Sequence, residues 1–291
     1  MKKILSPRIL MIISMLIFGT ISIFVRNINV STGEIALYRA IIASVAIGLF
    51  LLITKRKINF KSIKKQLPLL FISGAAIGVN WILLFQAYRY TTVSIATLSN
   101  YFAPVLVTII CPIIFHEKLT IKQIICFIMS TVGIILIIGI QDNNNNNNNL
   151  IGILLGLGAA VCYASVIIIN KFIKNVDDIT RTFLQFISII IFLLPYVLLT
   201  SGFNIHTLNF TGLIYLLIVG IVHTGITYCL YFSSLKNLKG QTAAILSYID
   251  PLFAVLISVI VLQEAITFWQ ILGGILILGF TLLNEISIKK N

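Results

Sequence analysis

Two ionisable side chains, Asp250 and His223, lie deep inside apolar stretches of this chain and are best suited to cation or proton chemistry. A carboxylate in apolar surroundings costs several kcal/mol unless it faces a cavity or a partner, or carries a proton. Asp250 is therefore predicted to bind a substrate cation or to accept a proton, with a buried structural hydrogen bond as the alternative. His223 could relay a proton if it neighbours Asp250, but a lone histidine is often only a hydrogen-bonding residue between helices.

Polar and aromatic side chains in the same and neighbouring stretches predict a pocket for a small molecule. Tyrosine, tryptophan and asparagine supply apolar walls with a few orienting hydrogen bonds, which is typical of sites for small metabolites. The alternative is interfacial belts and contacts between helices, which suits Tyr88 and Tyr90 near a helix end best. Besides Asp250 and His223, the predicted substrate-binding residues are Asn100, Tyr101, Trp81, Asn80, Tyr228, Tyr248 and Arg39.

Arg39 lies about two turns into its apolar stretch, and two roles are open for it. Its guanidinium group suits a substrate carboxylate or a lipid headgroup. In the other role, the side chain extends outward along the helix toward Glu34 and reaches water.

The elements that carry these residues are predicted to be transmembrane helices. Hydrophobic residues make up 59% of the 291 residues and charged residues only 10%, whereas soluble domains have roughly 25% charged residues. The apolar stretches reach about the twenty residues that span a hydrocarbon core roughly 30 Å thick. The net charge of +13 would suggest nucleic acid in a soluble protein, but lysines and arginines collected in cytoplasmic loops account for it here.

Ten helices are predicted from the apolar runs between charged or turn-rich breaks. With a cytoplasmic N-terminus, 18 of the 21 lysine and arginine residues fall on the cytoplasmic side, and only Arg26 and Arg89 fall outside. Such a bias favours both this helix count and this orientation. The predicted ranges are 9–25, 34–53, 67–86, 93–114, 121–140, 150–169, 179–200, 211–232, 241–262 and 268–286.

The two halves of the chain repeat the same residues at the same spacing. Pro104 and Glu117 recur as Pro251 and Glu264, each 147 positions later. The same offset relates several further pairs, namely Gly78 and Gly225, Trp81 and Tyr228, Arg89 and Lys236, Thr120 and Thr267, and Gln123 and Gln270. A repeat of this kind in a chain this apolar is typical of a transporter built from two halves.

Each half holds five predicted helices, and an odd number forces the second half to be inverted relative to the first. The predicted fold is an all-α membrane protein with ten transmembrane helices in two inverted five-helix repeats and both termini cytoplasmic. The repeats occupy 1–140 and 150–291, and the asparagine-rich stretch 141–149 is predicted to be a flexible external linker. Inversion places Glu117 at the cytoplasmic face and Glu264 at the outer face, where both are predicted to stabilise helix ends.

With these motifs in this order, the chain resembles the drug/metabolite transporter superfamily, specifically the EamA-type transporters with two EamA repeats. His116 and Gln263 depart from the resemblance, because the family usually has glycine at these positions. The resemblance implies a ten-helix carrier fold and favours export. The motifs are Ala87-Tyr88-Arg89-Tyr90-Thr91, Pro104 and Glu117-Lys118-Leu119-Thr120 in the first half, and Ser234-Leu235-Lys236, Pro251 and Glu264-Ala265-Ile266-Thr267 in the second.

The residues and the resemblance together predict a secondary transporter that exports a small organic metabolite, an amino acid or a related compound, by alternating access. The predicted location is the plasma membrane, here a bacterial inner membrane. The predicted partners are a small-molecule substrate and the lipid bilayer but no nucleic acid, and the protein is predicted to be a monomer or a homodimer. No cofactor and no metal are expected, and coupling to protons is open.

Two other functions remain as alternatives. One is a lipid or lipid-linked sugar flippase on the same scaffold. The other is an intramembrane enzyme, which would need a nucleophile with a base, paired acids or metal ligands. The sequence contains no His-Glu-x-x-His and no Gly-x-Ser-x-Gly motif, so the transporter is favoured over the enzyme.

Overall fold

The computed structural model describes residues 6–54, 60–116, 120–139, 146–235, 238 and 240–285, and the regular structure in these ranges is helical. A short 3₁₀ helix covers Ile205–Thr207, and a π-helical segment covers Val219–Ile226. The α-helices are α1 (Pro7–Gly19), α2 (Ile21–Val25), α3 (Thr32–Ile53), α4 (Phe60–Tyr90), α5 (Val93–Asn100), α6 (Ala103–Ile114), α7 (Ile121–Gly139), α8 (Asn146–Phe172), α9 (Asp178–Thr200), α10 (Phe210–Ile218), α11 (Thr227–Leu235), α12 (Gly240–Ser247), α13 (Ile249–Ile260) and α14 (Phe268–Glu285).

The apolar helices make the chain a multi-pass membrane protein, as predicted. Segments long and apolar enough to cross a membrane are Pro7–Val25, Thr32–Ile53, Ile63–Tyr90, Val93–Ile114, Asn148–Phe172, Asp178–Thr200 and Phe210–Ser234. Shorter apolar helices cover Ile121–Ile137, Ile245–Ile260 and Phe268–Asn284. All of them fall within or close to the helix ranges predicted from the sequence. The helix α8 begins at Asn146, so the end of the asparagine-rich stretch is helical, whereas 140–145 lies outside the described residues.

Several of the predicted helices are interrupted, and two of the interruptions occupy equivalent positions in the repeat. Tyr101 lies between α5 and α6, and Tyr248 lies between α12 and α13. Each tyrosine is followed three residues later by its repeat proline, Pro104 or Pro251. Proline lacks the backbone N–H that would continue the preceding turn, which favours a break there. The two halves therefore share a helix break just before the repeat proline.

The repeated threonine and glutamine residues begin the last helix of each half. The backbone N–H of Thr120 donates to the side-chain oxygen of Gln123 at 2.8 Å, and the N–H of Gln123 donates back to the Thr120 hydroxyl at 3.3 Å. Thr267 and Gln270 make the same reciprocal pair at 3.0 and 3.3 Å. These pairs are capping boxes, which satisfy backbone donors at the starts of α7 and α14. Glu117 lies outside the described residues.

The contacts between the two halves form a pattern that is preserved when the halves are exchanged. Helix α4 packs on α8, and the equivalent pair in the exchanged halves is α11 on α1. The contact of α6 with α8 likewise corresponds to that of α13 with α1. Helices that are equivalent in the repeat also pack on each other, namely α3 with α9 and α7 with α14. The two repeats thus build one interleaved helical bundle.

Glycines allow the closest of these contacts across the halves. A Cβ atom on Gly273 of α14 would lie 2.5 Å from the carbonyl oxygen of Gly133 in α7. A Cβ on Gly156 of α8 would lie 2.7 Å from the Cβ of Ser99 in α5. Since real Cβ atoms do not approach other atoms this closely, larger residues at these positions would push the halves apart.

His116 and Gln263 have positive φ angles of 54° and 53°, which accounts for the glycine usual at both positions in the resembling family. The left-handed conformation costs a non-glycine residue roughly 1–2 kcal/mol.

We therefore expect Gln263→Gly and His116→Gly each to stabilise the protein by about 1 kcal/mol, measured as a higher unfolding midpoint in detergent. Asn175→Gly, at a φ of 59°, is the control and should gain less, because asparagine tolerates this conformation. A lower unfolding midpoint for Gln263→Gly would contradict the left-handed backbone conformation of this residue.

Candidate binding cavity

A cavity of about 540 Å³ lies between the two halves and holds most of the predicted site residues. Its walls come from both repeats, including α1, α3, α4 and α6 of the first half and α8, α11, α13 and α14 of the second. This volume is in the range of sites that enclose small organic ligands. The predicted residues that line it are Asn80, Trp81, Arg39, Asn100, Tyr101, Tyr228 and Asp250.

Asp250 lies in the first turn of α13, immediately after the break at Tyr248. Its carboxylate is therefore close to the N-terminal end of a helix, where the helix dipole favours negative charge. The hydroxyl of Tyr101, from the equivalent break in the other half, donates to Asp250 Oδ2 at 2.6 Å. The two equivalent interruptions thus meet in the cavity through one charge-assisted hydrogen bond.

Gly19 allows the first helix to approach Asp250 closely. A Cβ on Gly19 would lie 3.0 Å from the backbone oxygen of Asp250 and 3.1 Å from the Cβ of Phe253. The end of α1 therefore packs directly on the first turn of α13. This contact positions Phe18, the preceding residue, in the cavity wall.

Arg39 is 4% exposed and points into the protein, so its predicted extension toward Glu34 is wrong. Its guanidinium carbon lies 4.0 Å from the centre of the Trp81 ring, a cation–π contact. Its Nε donates to the hydroxyl of Thr224 at 2.6 Å. Glu34 instead caps its own helix together with Ser31 and accepts a hydrogen bond from the backbone N–H of Asn204. Glu34 is thus hydrogen-bonded at the start of α3, and the Arg39 side chain lines the cavity instead.

The π-helical segment Val219–Ile226 presents Thr224 to Arg39. Thr224 and Thr227 donate to the carbonyl oxygens of Val219 and Val222, at 2.8 and 2.7 Å, each five residues earlier. A wider helical turn of this kind rotates the side chains that follow it, and π-helical turns frequently occur at functional sites. The sequence pattern does not reveal it, because the segment is as apolar and as long as an ordinary transmembrane helix.

His223 and Tyr248 are buried outside the cavity lining. The His223 ring is hydrogen-bonded to the hydroxyl of Thr20 at 2.9 Å, at the interruption between α1 and α2. Within the described residues, no hydrogen bond joins it to Asp250. Tyr248 packs in an apolar cluster with Phe102 and Leu98. The structure therefore places His223 in contact with the bend of the first helix and Tyr248 in the core between helices.

Aromatic rings form one wall of the cavity. Tyr228 packs edge-on against Phe18 at 5.2 Å between ring centres and against Phe186 at 5.3 Å. Trp81 also packs edge-on against Phe186, at 5.6 Å between ring centres. Tyr88, predicted to suit an interfacial belt, is 4% exposed and also lines the cavity, so that prediction is wrong. Tyr90, two residues later, is 37% exposed, which agrees with it.

The cavity extends toward the ends of the helices that are predicted to be cytoplasmic. Cys111 in α6 and Gln123 at the start of α7 line this end, as does Lys171 in the last turn of α8. Lys171 Nζ lies 3.3 Å from the sulfur of Cys111. Asn284, near the end of α14, donates to the Thr108 hydroxyl at 2.9 Å. The polar mouth is therefore built by helices from both halves.

Glu264, toward the opposite ends of the helices, joins three separate segments. Its Oε2 accepts hydrogen bonds from the backbone N–H of Val93, at 2.8 Å, and from the hydroxyl of Ser258, at 2.5 Å. Its Oε1 is in a salt bridge with Arg26, in the loop after α2. The prediction that Glu264 stabilises a helix end is confirmed, but the end is that of α5 in the other half.

Sequence reasoning missed the contributions of the first, fifth, sixth and tenth predicted helices. The residues missed are Phe18, Gln123, Tyr163, Lys171 and Asn284, all of which line the cavity. The polar residues among them lie near predicted helix ends, where polar residues are common and carry little signal. Tyr163 is the residue that could have been found, because it is a tyrosine in the middle of an otherwise apolar helix.

Two similar helical halves around a cavity lined by both define the class of membrane transporters built from repeats. The chain belongs to the EamA-like transporter family, whose profile matches residues 5–139 and 150–285. This confirms the resemblance to the drug/metabolite transporter superfamily and the presence of two EamA repeats.

Named relatives are also transporters. The chain is 30% identical over 268 residues to the uncharacterized transporter YxxF of Bacillus subtilis (strain 168), covering 92% of this chain and 85% of that protein. It is 24% identical over 287 residues to human solute carrier family 35 member G1, covering 92% and 75%. A solved crystal structure with 15% sequence identity superposes with a TM-score of 0.65 over 94% of this chain and 95% of that chain, which shows a shared fold.

Proposed function

We propose that this protein is a secondary transporter that exports a small organic metabolite, an amino acid or a related compound, by alternating access. The observation that carries the proposal is the cavity of about 540 Å³ between the halves, which extends to one set of helix ends, whereas Glu264 links the two halves toward the other set. A central cavity between two inverted halves that extends toward one side is what one state of an alternating-access carrier requires.

The proposed arrangement in the membrane is ten transmembrane helices in two inverted repeats, with both termini in the cytoplasm. The exchange-symmetric contacts of the halves support it, as expected for units related by a pseudo-two-fold axis. In this orientation Lys171 and Gln123 lie at the cytoplasmic mouth, and Arg26 and Glu264 lie at the outer seal. The proposed location is the bacterial plasma membrane, and the proposed unit is a monomer or homodimer that acts without a cofactor.

A carrier accounts for the cavity better than a flippase or an enzyme does. The cavity walls come from twelve of the α-helices, and the aromatic rings enclose a compact volume. A flippase for lipids needs a lateral opening toward the bilayer instead. The two ionisable groups at the centre, Arg39 and Asp250, are suited to binding rather than to hydrolysis, since neither activates a nucleophile in the described part of the chain.

The test is transport by the purified protein in proteoliposomes, with amino acids, nucleosides and amines as labelled compounds. At least one amino acid or related compound should move faster than in protein-free liposomes and should raise the unfolding midpoint. Repeating the assay with and without a pH gradient decides whether protons are coupled. If none of the compounds moves and none stabilises the protein, the proposed function is wrong.

A further inference from the structure

A second cavity, of about 610 Å³, lies toward the other ends of the helices from the polar mouth. The mouth contains Lys171, in the last turn of α8. The start of α8 is instead bonded to Thr91, through Asn149 at 2.9 Å, and Thr91 is two residues after Arg89. Arg89 and Arg26 are the charged residues that line the second cavity, which shares no lining residue with the central one. It is therefore a separate and positively charged site.

The two arginines of this cavity are exceptions to the charge pattern of the chain. Of the 21 lysine and arginine residues, 18 fall on the predicted cytoplasmic side, and Arg26 and Arg89 are the two that fall outside. Basic residues are generally rare in the outer loops of membrane proteins. Both exceptions nevertheless line the same cavity, although they come from distant parts of the sequence. Their convergence indicates a shared anionic partner.

The segments that carry the two arginines are joined at two points. Arg89 Nη2 lies 3.4 Å from the carbonyl oxygen of Ile28, which is two residues after Arg26. Glu264 forms the second link, because it pairs with Arg26 and accepts from the backbone N–H of Val93, four residues after Arg89. The guanidinium groups are thus held on neighbouring segments around one cavity.

The arginines keep several hydrogen-bond donors for a ligand. Arg89 Nη2 donates to the carbonyl oxygen of Val30 at 2.5 Å, whereas its Nε and Nη1 donate to no described residue. In the described part of the chain, no carboxylate lies within ion-pair distance of Arg89. Arg26 is part-exposed and binds Glu264 through Nη1. Planar guanidinium forks of this kind match the oxygens of a phosphate group.

Glu34, the other acid near this cavity, does not neutralise it. Its side chain is 0% exposed, so its carboxylate lies behind the cavity lining. Ser31 donates to this carboxylate at 3.1 Å, and the backbone N–H of Asn204 donates to it at 2.5 Å. Since its oxygens are already hydrogen-bonded, Glu34 leaves the charge of Arg89 to an external anion.

The rim of the cavity contributes apolar surface. Asn204 and Thr207 line the cavity, and the neighbouring Phe203 and Ile205 are 40% and 37% exposed. At the ends of transmembrane helices, such side chains lie where lipid headgroups meet acyl chains. A phospholipid presents both a phosphate group and acyl chains at this depth. The volume also exceeds that of a phosphate ion alone, which leaves room for the rest of a headgroup.

We propose that Arg26 and Arg89 bind the phosphate group of a phospholipid in the outer leaflet. Basic pockets at the ends of transmembrane helices are suited to lipid headgroups. The site goes beyond the proposed transport function, and its position on the outer side follows from the proposed orientation. A soluble phosphorylated compound offers the same phosphate group, and the experiment separates the two sources.

Three probes with shared parts test the proposal. Short-chain phosphatidylglycerol has a phosphate and acyl chains, diacylglycerol with the same chains lacks the phosphate, and sn-glycerol 3-phosphate lacks the chains. Binding to the purified full-length protein in neutral detergent is measured by titration and by the shift in unfolding midpoint. Phosphatidylglycerol should bind about 10-fold more tightly than either other probe. Equal binding of diacylglycerol would overturn the proposal, and equal binding of glycerol phosphate would replace the lipid by a soluble phosphorylated compound.

A pair of variants tests the role of Arg89. Arg89→Gln should weaken the binding of phosphatidylglycerol about 10-fold, since it removes the unpaired charge and leaves the Arg26–Glu264 pair in place. The net charge of +13 attracts any anionic lipid, so the control must change the net charge equally. Arg181→Gln does so at the start of α9, where Arg181 pairs with Asp178, and should bind like wild type. Equal affinities of the two variants would overturn the proposal.

A second measurement leaves both arginines in place. Asn29 is exposed and lines the cavity, whereas Asn27 is exposed in the same loop and does not line it. With the four native cysteines replaced by alanine, Asn29→Cys should react with a maleimide severalfold more slowly in phosphatidylglycerol than in diacylglycerol. Asn27→Cys is the control and should react equally fast in both. Absence of protection at Asn29→Cys would overturn the proposal. Because neither measurement involves transport, that failure would leave the proposed carrier function standing.

Discussion

Replacing Asp250 with asparagine is expected to lower the rate of substrate transport by about 10- to 100-fold. The substitution keeps the size of the side chain and an oxygen that can accept from Tyr101. It removes the only negative charge among the described residues that line the cavity. Losing a hydrogen bond to a charged group costs about 1.5–3 kcal/mol, which corresponds to this range of rates. The rate is measured as exchange of labelled substrate across proteoliposomes at several pH values.

Asp178→Asn is the matched control, since Asp178 is an exposed acid paired with Arg181 at a helix start. It should transport at the wild-type rate. Both variants are first checked for a monodisperse elution profile and an unchanged unfolding midpoint. Wild-type transport by Asp250→Asn at every pH would reduce Asp250 to a structural role and would contradict its assignment to the substrate site.

Replacing Glu264 with alanine is expected to destabilise the protein by about 2–4 kcal/mol. The change leaves the backbone N–H of Val93, the hydroxyl of Ser258 and the charge of Arg26 without their shared acceptor. Each donor left unpaired in a buried site costs about 1–3 kcal/mol, and solvent reduces the contribution of the part-exposed Arg26. The measurement is the free energy of unfolding in mixed micelles, together with the unfolding midpoint.

Glu264→Gln separates the charge from the hydrogen bonds. Glutamine can still accept from Val93 but loses the ion pair, so its loss of stability should be smaller than that of alanine. Asp178→Ala, which removes an exposed acid with one salt bridge, serves as the control and should change stability by less than about 1 kcal/mol. If Glu264→Ala were as stable as this control, Glu264 would not join the halves.

The helices could be predicted because a lipid bilayer restricts the backbone structures that can span it. The repeat could be predicted from the constant residue offset. A chain in a bilayer must satisfy its backbone hydrogen bonds internally, so long apolar runs predict helices with little ambiguity. The offset that relates Pro104 to Pro251 aligns the halves, and it identified Asp250 as an acid with only Ala103 in the equivalent position. The interruption beside Pro251 follows from local chemistry as well, since proline alone explains it.

The arrangement within the cavity could not be predicted, because it depends on contacts between distant parts of the chain. Glu264 caps a helix that begins at Val93, which lies 171 residues away. Arg39 turns inward because Trp81 and Thr224 hold its guanidinium group, and neither is near it in sequence. His223 looked like a partner for Asp250 from its depth alone, but it is bonded to Thr20 at the bend of the first helix. Depth in a helix is readable from sequence, whereas the direction a side chain faces is not.

The most direct test of the transport cavity is to measure from which side of the membrane a reagent can reach it. Cys111 is a free thiol that lines the mouth proposed to face the cytoplasm, and it becomes the sole thiol when Cys126, Cys162 and Cys229 are replaced by alanine. A membrane-impermeant maleimide is applied to right-side-out and inside-out vesicles. We predict labelling of Cys111 from the cytoplasmic face and none from the outer face, where Glu264 links the two halves. Labelling from the outer face, or from neither face, would contradict a transport cavity open to the cytoplasm.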